Sequence, residues 1–438
     1  MLNAFVSAFR TPDLRRKLLF VLFIVALFRV GSVVPVPGID VATVDRCSNQ
    51  AISGGEGGQS VYGMLNLFSG GALLQMSIFA LTIMPYITAS IIIQLLTVVI
   101  PRLEALKKEG QTGQGKITQY TRYLALGLAV LQSTTMVALA QSGRVFQGIQ
   151  GCTGNDLIPD QSIPVLVTMV LVMTAGTSII MWFGELITDR GIGNGMSILI
   201  FTSVAAAFPT SLWAIQTSNG FETFLFVIAI GLVVMAAVIF VEMGQRRIPV
   251  QYAKRVRGRR EYGGSSTYIP LKVNQAGVIP VIFASSLIFL PSMVSQFDPT
   301  SEWAQWISQY LVTGDHPLYM AAYFLLIIFF AYFYVGITFN PEDVADNMKK
   351  YGGFVPGIRA GKPTVEYLQY VLSRVTAAGA LYLGIVALIP LVAIVLVNAN
   401  QSFPFGGTSI LIVVGVGLNT VQQIESQLQN RNYEGFLR

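Results

Sequence analysis

Apolar residues in this chain are gathered into long blocks separated by polar intervals. A helix needs about 20 predominantly apolar residues to cross a hydrocarbon layer. Ten blocks approach that length, over about 18–34, 75–98, 120–140, 163–184, 194–214, 223–243, 275–291, 317–339, 371–396 and 406–424. The pattern predicts an all-α polytopic membrane protein with ten transmembrane helices. The blocks divide as five and five, residues 1–215 and 216–438, entering from opposite sides. That arrangement permits an inverted repeat around a central path, although no residue-level identity between the halves stands out.

One apolar segment breaks the pattern. VYGMLNLFSGGALL, residues 61–74, is too short to span and too apolar for an exposed loop, and Gly70-Gly71 interrupts it before the next span. Two readings stay open: a half-inserted helix acting as a movable stopper, its backbone satisfied by protein or water, or an amphipathic helix lying on the surface.

Charge orients the threading. With the N-terminus inside, Arg46 and Arg144 face outward and Arg29 lies in the outer part of the first span; all the other basic residues, of 28 in total, fall on one side. This is the positive-inside pattern, and it predicts that both termini are cytoplasmic. The apolar stretch after Arg15-Arg16-Lys17 has no small-residue cleavage site near Ser32, so it reads as the first span and not as a secretory signal. The outside loop 292–316 has no Lys or Arg and carries Asp298, Glu302, Asp315 and the sole histidine, His316.

The inward loops at about 244–270 and 340–370 carry more charge than orientation requires. Arg246, Arg247, Lys254, Arg255, Arg257, Arg259 and Arg260 face a single acid, Glu261, and Gly258 and Gly263-Gly264 allow a protruding tip. Such a projection suits salt-sensitive contact with nucleic-acid phosphates or an acidic protein surface. Overall the chain is 53% hydrophobic and 11% charged, against roughly 25% charged in a soluble domain. The net charge of +6 therefore reflects the inward bias rather than a nucleic-acid-binding domain. Cys47 and Cys152, the only cysteines, both fall outside, where a disulfide persists. A bridge between them is one reading, and two unpaired thiols the other.

Catalytic signatures are missing. GQTGQGK (110–116) has phosphate-loop spacing, but Ile117 replaces the Ser or Thr that would ligate Mg²⁺, and no strand precedes it. GIGNG (191–195) reads as a tight turn with Asn194 as a helix cap. No metal-ligand cluster, no Ser-His-Asp set and no call for a cofactor emerge. Glu185, Asp189 and Glu242 lie at inner span ends rather than midway, which weakens the alternative of a secondary transporter of a small solute. The intramembrane polar groups, among them Gln75, Gln94, Gln132, Asn274, Gln275 and Asn419, are uncharged. They read as interhelical hydrogen bonds, worth about 0.6 kcal/mol each on average, or as groups along a seam that trade partners for water. Ile83, Ile87 and Ile91 recur at spacing four. They are either ordinary packing or a branched aliphatic constriction that excludes water.

Several long motifs, in order, give the chain a resemblance. SGGALLQMSIFALTIMPYITASIIIQLLTVVIPRLEALKKEG (69–110), KITQYTRY (116–123), ELITDRGIGNGMSI (185–198), EMGQRRIPVQYAKR (242–255), LKVNQAGVIPVIFASS (271–286), FNPEDVADNMKKYGGFVPGIR (339–359) and FGGTSILIVV (405–414) resemble the SecY family, the channel subunits of the bacterial protein-conducting translocon. The likeness covers nearly the whole chain. It implies an hourglass pore between two inverted five-helix halves and a passive channel, not an enzyme.

The resemblance also implies residue roles. The pore ring matches Ile83, Ile87, Met196, Ile200, Ile282 and Ile412, with Met196 departing from the isoleucine often found there. The plug matches about 61–74, including Tyr62, Leu65, Asn66, Phe68, Ser69 and Gly70. A lateral gate of spans two and three against seven and eight carries Gln94, Asn274 and Gln275. Arg259, Arg260 and Arg359, with Arg255, match docking positions for a motor or ribosome. The implied partners are SecE and SecG subunits, the SecA ATPase, the ribosome, signal peptides and unfolded preproteins, and membrane lipids. The implied location is the bacterial plasma membrane.

Overall fold

Helices form along the apolar blocks because only internal hydrogen bonding satisfies a backbone in hydrocarbon. The computed structural model describes residues 9–53, 69–143, 145, 151–252, 255–257, 260–262, 266–295, 301–312, 316–397 and 407–435. In chain order the helices are α1 (Pro12–Gly31), α2 (Val41–Ser53), α3 (Met84–Val99), α4 (Pro101–Lys108), α5 (Gln111–Gln141), α6 (Gly154–Leu157), α7 (Ile163–Arg190) and α8 (Gly195–Glu242). They continue as α9 (Ile279–Ser295), α10 (Glu302–Ile307), α11 (Pro317–Thr338), α12 (Pro341–Lys350), α13 (Lys362–Val397) and α14 (Gly407–Gly435), with a π-turn at Ser308–Val312. Every predicted block carries helix. Among the described residues, five segments are long and apolar enough to cross a membrane alone, or six if α3 and α4, bent 99° apart, count as one. The protein is thus a polytopic helical membrane protein.

Two blocks differ from expectation. The fifth and sixth run through one 48-residue element, α8, broken only at Gly220 (φ 84°, ψ 171°). A glycine takes that left-handed φ without steric cost, so one residue replaces the expected loop. The second block was expected from 75, but its helix starts at Met84, with Pro85 in the first turn, a position where a missing N–H costs nothing. Met76 (φ 46°) and Thr82 (φ 51°) are left-handed, so residues 70–82 fold as successive turns. The turns lie on the end of α1: Ile78 N donates to Val34 O (2.9 Å) and Val36 N to Met76 O (3.1 Å).

The long inward loops hold β-structure that an all-α reading omits. Strand β1 (Gln245–Tyr252) pairs antiparallel with β4 (Ser266–Lys272), and Gln251 and Tyr252 pair with β5 (Gly353–Phe354). Between them β2 (Arg255–Arg257) and β3 (Arg260–Tyr262) form a second hairpin ladder. Ile248, Val250 and Leu271 pack with Met348, Val355, Leu368 and Val371 in a small core. The two loops are therefore one platform.

On the opposite side, Cys47 and Cys152 form a disulfide (Cα–Cα 6.0 Å). It sits in an apolar cluster with Val36, Leu73, Met76, Met136, Leu157 and Met169, so α2, the 70–82 turns and the start of α7 share one cap.

Candidate functional site

Among the described residues the largest apolar cluster draws on α1, α3, α7, α8, α9, α11, α13 and α14, and the six ring candidates lie in or against it. Ile83 and Ile87 come from the start of α3, Met196 and Ile200 from the first turns of α8, Ile282 from α9 and Ile412 from α14. Ile83, Ile87, Ile200 and Ile412 are buried in this cluster, and Met196 and Ile282 are half-buried against it. Their placement follows from local chemistry. Asn194 caps α8, its side-chain oxygen accepting from Met196 N (3.0 Å) and Ser197 N (3.4 Å), while Gly195 N donates to Thr188 Oγ1 (2.9 Å) on α7. The turn that reads as a weak glycine motif thus sets the start of α8.

Of the plug residues matched by resemblance, Ser69 and Gly70 are described; Tyr62, Leu65, Asn66 and Phe68 lie outside the described residues. Ser69 is buried and its Oγ accepts from Leu73 N (3.1 Å). The Gly70 carbonyl accepts from Arg29 Nη1 (2.8 Å). Sequence reasoning placed Arg29 in the span and assigned it nothing. Its signal was there: a full charge among apolar residues.

Helix α3 lies against α9, closing the seam where a lateral gate would part. The hydrogen bonds described for the three polar gate residues stay on their own side. Gln94 Nε2 donates to Ser90 Oγ in its own helix (3.3 Å). Asn274 Nδ2 donates to Glu242 Oε1 at the end of α8 (2.5 Å) and to Gly277 O (3.0 Å). Gln275 Oε1 accepts from Lys272 N (3.2 Å). At the platform end of the bundle, Lys107 Nζ on α4 reaches Ile337 O at the end of α11 (3.5 Å).

The basic docking candidates fall on the platform. Arg359 is exposed in the turn after β5. Arg255 lies in β2 and Arg260 in β3, and Arg259 lies outside the described residues. Arg247 stacks over Tyr268 (4.7 Å to the ring centroid) across the β1–β4 pair. The inner ends of α5 and α7 are joined by a two-point Arg122–Glu185 ion pair (2.7 and 2.8 Å).

An apolar cluster that draws on helices from both halves of the chain, a packed seam between two of them and a basic platform belong to a polytopic helical membrane protein. The comparisons with known proteins agree. The SecY family model matches residues 77–421. The "Protein translocase subunit SecY" of Streptomyces galbus is 65% identical over 443 residues, covering 100% of both chains. Two solved structures share the fold. One describes the SecY plug domain as stabilising the closed channel and maintaining a membrane seal (TM-score 0.61, 18% identity, 93% of this chain and 91% of that one). The other is Sec61 in the canine ribosome–channel complex (TM-score 0.55, 17% identity, 93% and 91%). The chain belongs to the SecY family. It is the central channel subunit of a preprotein translocase, which passes proteins across the membrane and is not itself a catalyst. This sets aside the alternative of a small-solute transporter.

Proposed function

We propose that the conduit is an hourglass pore of ten transmembrane helices, built as two inverted halves, residues 1–215 and 216–438. It lies in the bacterial plasma membrane with both termini cytoplasmic. Ile83, Ile87, Met196, Ile200, Ile282 and Ile412 form its collar. The observation that carries the reading is that four of the six lie in one apolar cluster and Met196 and Ile282 pack against it, although the six come from helices distant in sequence. Branched aliphatics exclude water and ions when packed and offer a passing polypeptide no fixed hydrogen-bond partner, so they yield without binding it. Segment 61–74 is the plug on the outer side of that collar. In support, Gly70, near its end, is wedged against α8, where an added Cβ would come within 2.9 Å of Ser203 O.

Sideways release proceeds where α3 meets α9, the seam carrying Gln94, Asn274 and Gln275. Signal peptides and sufficiently apolar segments partition there into lipid by the same transfer free energies that place this chain's own spans. The platform bearing Arg255, Arg259, Arg260 and Arg359 docks the SecA ATPase or the ribosome, which supply the work. SecE and SecG complete the complex. The test is site-specific crosslinking from position 87 to an arrested secretory chain, scored with and without the motor. Motor-dependent adducts at 87, and none at lipid-facing Phe240, are expected; adducts absent from 87 would sink the collar.

A further inference from the structure

Arg29 stands in the outer part of the first span, where an ionised side chain is costly without compensation. Among the described residues no carboxylate pairs with it. Its guanidinium donates to the Gly70 carbonyl (2.8 Å) and lies 3.5 Å from Ser32 Oγ. Ser32 Oγ in turn donates to the Arg29 carbonyl (2.7 Å), fixing the end of α1. Gly70 is left-handed (φ 62°), and a Cβ there would come 2.9 Å from Ser203 O on α8 and 3.3 Å from Arg29 Nη1. The glycine is thus pressed between α8 and the guanidinium.

From Gly70 the chain runs through turns with left-handed Met76 and Thr82 straight into Ile83. Irregular backbone at membrane depth persists only where protein satisfies it. Here α1 and the segment that follows it do so: Val34 O accepts from Ile78 N and Val36 N donates to Met76 O, Phe28 stacks on Phe79 (centroids 5.9 Å apart), and Arg29 holds Gly70. Among these contacts Arg29 alone uses a side-chain hydrogen bond, and a charged one.

We propose that Arg29 is a positioning residue for the seal: by holding the Gly70 carbonyl it seats the Ser69–Thr82 turns between α1 and α8 and sets where Ile83 and Ile87 enter the collar. The proposal rests on the collar reading above. Parting the turns from their seat strands a guanidinium and a carbonyl together, so the bond favours the shut channel. A positive charge released into the outer vestibule accompanies opening.

The test measures resting ion leak of the full chain, purified with its partner subunits and reconstituted in liposomes. Arg29→Met keeps the apolar stem, removes every donor and is expected to raise the leak about tenfold, the effect of losing one charged hydrogen bond. Arg29→Lys, which still donates, restores most of the seal; a residue needed only for bulk would be replaced by Met as well as by Lys. Gly70→Ala attacks the same seat from the other side, should leak in the wild-type background, and should add little to Arg29→Met because the two act on one contact. Ile87→Asn tests the collar separately. If Ile87→Asn leaks while Arg29→Met stays tight, the role of Arg29 is overturned and the collar stands. If both stay tight, the collar falls and Arg29 with it. Should Arg29→Met not accumulate, a tight Gly70→Ala overturns the proposal by itself.

Discussion

Met196 shows how a neighbour without a side chain sets one position of the proposed collar. Gly184 on α7 faces it, and a Cβ built there would overlap the Met196 sulfur. Methionine is flexible enough to fill the irregular gap that results. Gly184→Ala is expected to push Met196 out of place at a cost of about 1–3 kcal/mol, the usual range for overpacking. A lowered thermal midpoint, partly recovered by Met196→Ala in the same chain, would be the signature. At this scale the sequence is half legible. Ile83, Ile87 and Ile91 announce themselves by spacing, whereas Ile200, Ile282 and Ile412 look like any packed isoleucine. Nothing local says that three helices bring them to the first two; here the family resemblance supplied the set. The candidate gate residue Asn274 has its amide held by Glu242 and Gly277, a meeting made possible because the β1–β4 pair joins the end of α8 to the approach to α9.

Among the elements, the disulfide-bonded cap and the β platform behave differently. The cap is closed by the Cys47–Cys152 bond across 105 residues of sequence. A loop of that size corresponds to about 4–5 kcal/mol in the chain-entropy account, and to about 2–4 kcal/mol in typical measurements. Cys47→Ser should lower the thermal midpoint, and reductant should lower it in the wild type but not in the variant; equal sensitivity of both would remove the structural role. Two carboxylates also stiffen this cap. The Thr43 hydroxyl beside Asp40, and the Thr153 hydroxyl and N–H on Asp156 (2.6 and 3.1 Å), hold both acids below the ordinary value of 3.8. A depressed carboxylate contributes stability that is whole above its unfolded pKa and is lost as pH falls through the folded value. Amide protection factors near α2 and α6, with the intrinsic pH dependence of exchange divided out, are therefore expected to stay flat down to about pH 4 and to fall below it. Asp156→Asn should flatten that acid limb at α6.

The platform was the element that sequence reading missed. Ile248 and Val250 alternate with outward Arg247 and Pro249, which is a strand signal. Dense charge and two prolines hid it, and the pairing partner of Tyr252, Gly353, lies about a hundred residues on.

Taken whole, the molecule keeps an apolar centre apart from a basic platform, and the two should fail separately. Arg359 is exposed on the platform and far in sequence from any collar residue. Arg359→Glu is expected to impair export severely while the protein itself inserts and accumulates normally. Binding of the motor to channel-containing vesicles should weaken and lose part of its salt dependence, since one cationic contact has been removed. Normal export by a stably expressed Arg359→Glu chain would remove docking from that residue.

What the chain determined by itself was its solvent. Block length and hydropathy place helices in lipid, because transfer free energies sum residue by residue, and the side on which Lys and Arg gather carries the orientation proposed above. What only the tertiary structure decided was company. Gly70 and Arg29, Cys47 and Cys152, and β1 with β5 are pairs separated by 41 to about 105 residues. Their meeting depends on how whole helices pack, and no local pattern carries that information. The Arg29 guanidinium reads as an anomaly in the sequence and becomes intelligible once the carbonyl it holds is in view.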